Sequence, residues 1–109
     1  MEQSLQEDQS LIFRRLADAL VEATPEWWSA AELELVASPA GLGGGLAHTI
    51  SSGEYPRDIV VPTDEIMEAT RALELASLRH GDAWRRCVFR VAQEPSGHWC
   101  FVAESERDT

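Results

Sequence analysis

The chain has 109 residues, 44% of them hydrophobic and 26% charged, a balance that indicates one soluble globular domain. Aspartate and glutamate number 19 against nine basic residues, so the formal charge is −10. That excess argues against nucleic acid and anionic membranes as partners, since both require a positive footprint, and fits a basic protein partner. No apolar stretch approaches the length of a membrane span, and Met1-Glu2-Gln3-Ser4 leads into no apolar segment of the secretory type. Every basic residue is an arginine, which reads as the codon usage of a GC-rich genome because the arginines form no single patch.

Residues 1–9 carry little apolar character and read as a flexible N-terminal tail. Ser10 to Thr24 places Ile12, Phe13, Leu16, Ala19, Leu20 and Ala23 at three- and four-residue steps, the apolar stripe of a helix that Pro25 ends. From Trp27 to Ala37 the pattern alternates, with Glu32 and Glu34 on one face of a strand and Leu33 and Leu35 on the other. Ser38 to Gly45 reads as a glycine-rich loop, and Leu46, His48 and Ile50 share a face of a returning strand. Asp58-Ile59-Val60-Val61, bounded by Pro56 and Pro62, leaves a short further strand open.

Thr63 is an N-cap candidate for a second helix, with Asp64, Glu65 and Glu68 near its positive end. Ile66, Ala69, Thr70, Leu73, Ala76 and Ser77 form its narrow stripe, and Gly81 occupies the position after its end. Trp84 to Gln93 and His98 to Glu104 flank Pro95-Ser96-Gly97, a three-residue hairpin loop if Glu94 pairs with His98. That register sets Phe89 opposite Ala103, Val91 opposite Phe101, Gln93 opposite Trp99, Arg90 opposite Val102, Ala92 opposite Cys100 and Arg86 opposite Glu106. Residues 105–109 read as a C-terminal tail. The fold class expected is α+β: an antiparallel sheet of four or five strands with both helices on one face.

Few residues suggest chemistry. Gly41-x-Gly43 lacks the third glycine of a dinucleotide fingerprint, and no lysine is present for a Walker-type loop. His48, His80 and His98 have no metal-type spacing, no G-x-S-x-G occurs, and the carboxylates read as solvated faces. Cys87 and Cys100 fall on opposite faces of the final hairpin, so the two thiols stay free; the expected setting is reducing and cytoplasmic, with both cysteines acting as small buried hydrophobes. The reading is a non-enzyme without cofactor or metal.

The tryptophans say more. Adjacent Trp27 and Trp28 on a strand face opposite sides, unless both lie beneath the first helix. An exposed Trp28 makes a binding hot-spot candidate. Residues 1–56 hold nine acids and only two arginines, so the expected partner-binding face lies in this half. It comprises Glu26, Trp28, Glu32, Glu34, Glu54 and Tyr55, with Asp58 just beyond that half, aromatic anchors with a carboxylate rim that steers association.

A helix ending in Pro-x-x-Trp (Leu16 to Trp28), then a hairpin and a helix, leads to Trp84 with Phe89-Arg90-Val91 and to Gly97-His98-Trp99-Cys100-Phe101. This combination, over residues 10–104, resembles the YezG-like immunity proteins, the antitoxins of bacterial polymorphic toxin systems. The resemblance implies a cytoplasmic protein that binds and neutralises a cognate toxin domain, frequently a nuclease; apart from it, a monomer or homodimer is expected. It implies no catalytic residues. The alternative is an acidic secretion-type chaperone holding a segment of a secreted partner.

Overall fold

Apolar stripes on two helices and alternating strands can be satisfied together by one arrangement of two layers. The computed structural model, which describes residues 5–39 and 41–107, has it: helix α1 (Leu5–Ala23), strands β1 (Ala30–Ser38) and β2 (Gly41–Ser51), helix α2 (Asp64–Arg79), then strands β3 (Arg86–Gln93) and β4 (Trp99–Glu106). The four strands form one antiparallel sheet in the order β2-β1-β3-β4. Both helices lie on the same face: α1 packs on α2, β1, β3 and β4, and α2 on β2. Between the layers Leu16, Leu20, Leu33, Leu35, Ile66, Leu73, Phe89 and Val91 are buried in one core. Phe89 sits edge-on to Phe13 at 5.4 Å and stacks on Phe101 at 5.9 Å.

The expected N-terminal tail is corrected in part. Residues 5–9 are the opening turns of α1, and Gln9 reaches Asp82 (3.4 Å); residues 1–4 lie outside the described residues. The helix ends as Pro25 requires, with the Thr24 N–H and hydroxyl both bonded to the Leu20 carbonyl. β1 begins at Ala30 rather than Trp27, because residues 25–28 close a turn through Trp28 N–H and the Pro25 carbonyl (3.0 Å). From there the alternation is regular: Leu33 and Leu35 point to the core, Glu32 and Glu34 to the open face.

The glycine-rich stretch is not a free loop. Ser38 pairs with Gly41 and Ala37 with Leu46, so residues 42–45 form a bulge within β2. Gly43, at φ +97, turns its N–H onto the carboxylate of Glu74 on α2 (3.0 Å). That contact is tertiary, which is why local composition reads as loop. Residues 58–61 form no strand; Val60 makes an isolated bridge to Ile50, and the sheet stops at four strands.

The second helix starts and stops as its sequence demands. Thr63 accepts a hydrogen bond from the Ile66 N–H (3.3 Å), and after His80 the Gly81 and Asp82 N–H groups cap the Leu78 and Ser77 carbonyls. Trp84 precedes β3 instead of opening it, and its buried indole N–H donates to Ser77 (2.9 Å). The final hairpin has the expected register at every pair: Glu94 N–H bonds the His98 carbonyl (2.7 Å), and Gly97 takes φ +90. The C-terminal tail is also shorter than expected. Ser105 and Glu106 belong to β4, and Arg107 forks onto Asp82 (2.8 and 2.9 Å); residues 108–109 lie outside the described residues.

Candidate functional site: an aromatic corner with an acidic rim

Pro25 throws the chain out of α1 into a tight turn, and that turn decides which tryptophan faces where. Trp28 is 1% exposed and belongs to the core, whereas Trp27 is 62% exposed. The expected anchor Trp28 is therefore corrected to Trp27. Strand alternation gives one tryptophan to each environment but does not fix the phase here, since neither residue lies in β1.

The segment after β2 folds back against this turn. Both indole N–H groups donate to the same oxygen, Asp58 Oδ2, at 2.8 Å from Trp27 and 2.9 Å from Trp28. These donors, Trp27's first and Trp28's second, hold the Asp58 carboxyl below its ordinary value of 3.8. Glu54 Oε1 accepts from the Ser29 hydroxyl (2.6 Å) and N–H (3.2 Å), and the Glu54 N–H bonds the Ser52 hydroxyl. The Tyr55 carbonyl in turn receives the Asp58 N–H (3.0 Å). The loop is thus stitched to the turn by side chains rather than by strand pairing.

What this stitching presents to solvent is apolar. Tyr55 is exposed, Ile59 is 89% exposed, and Val61 is exposed on the same segment, with Val60 between them turned inward to Ile50. With Trp27 they are the exposed apolar residues of the turn and of the segment bonded to it, a corner that also carries Glu26, Glu54, Arg57 and Asp58. Of the expected site, Glu26, Glu54, Tyr55 and Asp58 gather here. Trp27, Ile59 and Val61 were not among the expected residues, although the alternation of Ile59, Val60 and Val61 carried the signal.

Glu32 and Glu34 do not join this corner, and their expected role as a free steering rim is corrected. They stand on the open face of the sheet, opposite the helices, within an ion-pair lattice. Arg86 binds Glu34 (2.8 Å) and Glu106 (3.2 Å), and Arg90 binds Glu32 (3.1 Å) and Glu104 (3.2 Å). Val88, which pairs with Glu34 on β1 and with Glu104 on β4, is buried on this otherwise open face.

Two further places carry polar chemistry. A cleft of about 390 Å³ between α2 and β2 is lined by His48, Met67, Thr70, Arg71 and Glu74 among others. There His48 Nδ1–H donates to the Leu46 carbonyl (3.1 Å), leaving Nε2 to pair with the Thr70 hydroxyl (2.8 Å). Burial lowers the pKa of His48. The two thiols are free but unlike each other. Burial pushes Cys87 up to about 11. Cys100, expected to be buried, is exposed on the open face, and its Sγ–H donates to Glu94 (2.8 Å), which raises its pKa. Among the described residues no three His, Cys, Asp or Glu side chains converge as a metal site, and no helix is long and apolar enough to cross a membrane.

No protein-family model matches the chain, and no curated protein matches it.

Proposed function

We propose that this protein is a cytoplasmic immunity protein that binds a basic toxin domain, in the first instance a nuclease, and neutralises it by covering the cationic surface that holds its substrate. The observation that carries the reading is Trp27: a large aromatic side chain, mostly exposed, yet fixed by its own hydrogen bond to Asp58. An exposed indole held in one orientation loses little freedom on binding, and tryptophan dominates hot spots. Ile59, Val61 and Tyr55 widen the apolar contact. Glu26, Glu54 and Asp58 supply the carboxylates that favour a basic partner and raise the capture rate.

Inhibition of this kind needs no chemistry from the inhibitor. A nuclease surface is lined with Lys and Arg because phosphate neutralisation supplies its affinity, and an acidic protein competes for that surface directly. The resemblance to the YezG-like immunity proteins and the charge of −10 support the same reading.

The test is to express this chain together with the toxin domain encoded in the adjacent reading frame. Growth rescue and a stable complex are the expected results, with Trp27→Ala weakening the complex about thirtyfold, the cost of one hot-spot residue. An adjacent frame that encodes a secretion apparatus in place of a toxin, or a complex indifferent to Trp27→Ala, overturns the proposal.

A further inference from the structure

The two edges of the sheet are unlike. Along β2, Val60 bridges Ile50, the His48 ring occupies the Leu46 carbonyl, and residues 42–45 bulge toward Glu74. These are the devices that stop a strand edge from pairing with another chain. β4 has none of them: Trp99–Glu106 holds no proline, no glycine and no bulge, and its register with β3 is unbroken.

The phase of that edge follows from the hairpin. Glu94 and His98 form a hydrogen-bonded pair. Antiparallel pairs alternate between bonded and unbonded, so Cys100, Val102, Glu104 and Glu106 turn their backbone groups to β3. Trp99, Phe101, Ala103 and Ser105 therefore direct their N–H and C=O groups outward, where among the described residues no strand meets them. The side chains set the chemistry of whatever pairs there. On the open face, Arg90 and Arg86 lie one strand inward, shared among four carboxylates, and the outer two, Glu104 and Glu106, are each more than half exposed. On the helix side Trp99, Phe101 and Ala103 are only partly covered.

We propose that the outer edge of β4 is a docking site for an extended basic segment of a partner protein, which adds to the sheet as a fifth strand. Arginine or lysine at alternate positions of that segment faces Glu104 and Glu106 and continues the pattern of acid, base, acid across the open face. Apolar residues at the intervening positions extend the Trp99–Phe101 surface. A second copy of this chain is a poor occupant. Each copy carries a charge of −10, so two such edges repel on approach. The inference does not depend on the Trp27 corner, nor on whether the partner is a toxin.

The probe is a terminally blocked synthetic peptide alternating arginine and valine, with a control in which glutamate replaces arginine. Amide hydrogen exchange of the wild-type protein, followed by NMR, is expected to slow about tenfold or more at Phe101, Ala103 and Ser105 when the arginine peptide is saturating, while Leu46 and His48 are unaffected. Ala103→Pro removes an outward N–H and leaves the β3 ladder intact, so this variant is expected to keep its fold and to bind the arginine peptide at least about tenfold more weakly. Three outcomes overturn the proposal: equal binding of the two peptides, binding without protection of those three amides, or protection that appears without peptide as the protein concentration rises. The last assigns the edge to a second copy.

Discussion

Trp27 and Trp28 are neighbours in the chain and share one acceptor, Asp58 Oδ2, at 2.8 and 2.9 Å, yet one ring lies in solvent and the other in the core. Their substitutions should separate cleanly. Trp28→Ala is expected to cost about 3–5 kcal/mol, as for a large buried aromatic, and Trp27→Ala no more than about 0.5–1 kcal/mol. Urea denaturation followed by far-UV circular dichroism measures both. Equal costs would show that the Trp27 ring supports the fold rather than a partner.

Phe89 lies between Phe13 and Phe101 at the centre of the sheet's covered face. Phe89→Ala should lower stability by about 3–5 kcal/mol, a large part of what a domain this size possesses. An unchanged urea midpoint would remove Phe89 from the core.

The thiols should titrate unequally. In the native protein a thiol reagent is expected to modify Cys100 alone, and after unfolding it should reach both cysteines. Since the bond to Glu94 raises the pKa of Cys100, Glu94→Gln should increase its thiolate fraction and hasten its alkylation at pH 8. A slower reaction in that variant would contradict the geometry.

His48 is expected to give the protein's stability a pH dependence. Its folded-state pKa lies below the ordinary 6.5, through burial, so the unfolded chain binds more protons as the pH falls through that value. The contribution to stability is fully present above about pH 6.5, declines below it and levels off once the pH passes the folded-state value, with the bond to the Leu46 carbonyl and then Glu74 opposing the shift. Asp58 adds a loss of its own only below 3.8. Thermal melts of wild type and His48→Gln between pH 7.5 and 5 should show a weaker pH slope in the variant; parallel slopes would place the dependence elsewhere.

Much of this architecture was legible because it is written locally. The register of the final hairpin could be read to the residue, though not its strand ends, since Gly97 supplies the left-handed turn position and a slip of one residue would turn Phe89, Val91 and Phe101 to solvent. The ends of α2 were equally readable from Thr63 and Gly81. The glycine bulge was not, because its pairing depends on Glu74, 31 residues away. Glu32 and Glu34 looked like free charges for the same reason: a sequence does not announce that Arg90 lies 58 residues further on and one strand across. At the candidate site Trp28 could not be told from Trp27, because the turn at Pro25 decides which of two adjacent tryptophans is buried.

The order of the strands has a consequence for how the chain folds. β1 with β2 and β3 with β4 are hairpins that close over short spans, whereas the midline pairs β1 with β3 across the whole length of β2 and α2. The slow step is then expected to be the pairing of β1 with β3, because the loop entropy of the intervening segment falls on that step. Substitutions along the seam, such as Leu35→Ala, should slow refolding in stopped-flow measurements, while changes at the outer strands should show mainly as faster unfolding. The middle of the sheet would set the rate at which the protein forms, and its margins the rate at which it is lost.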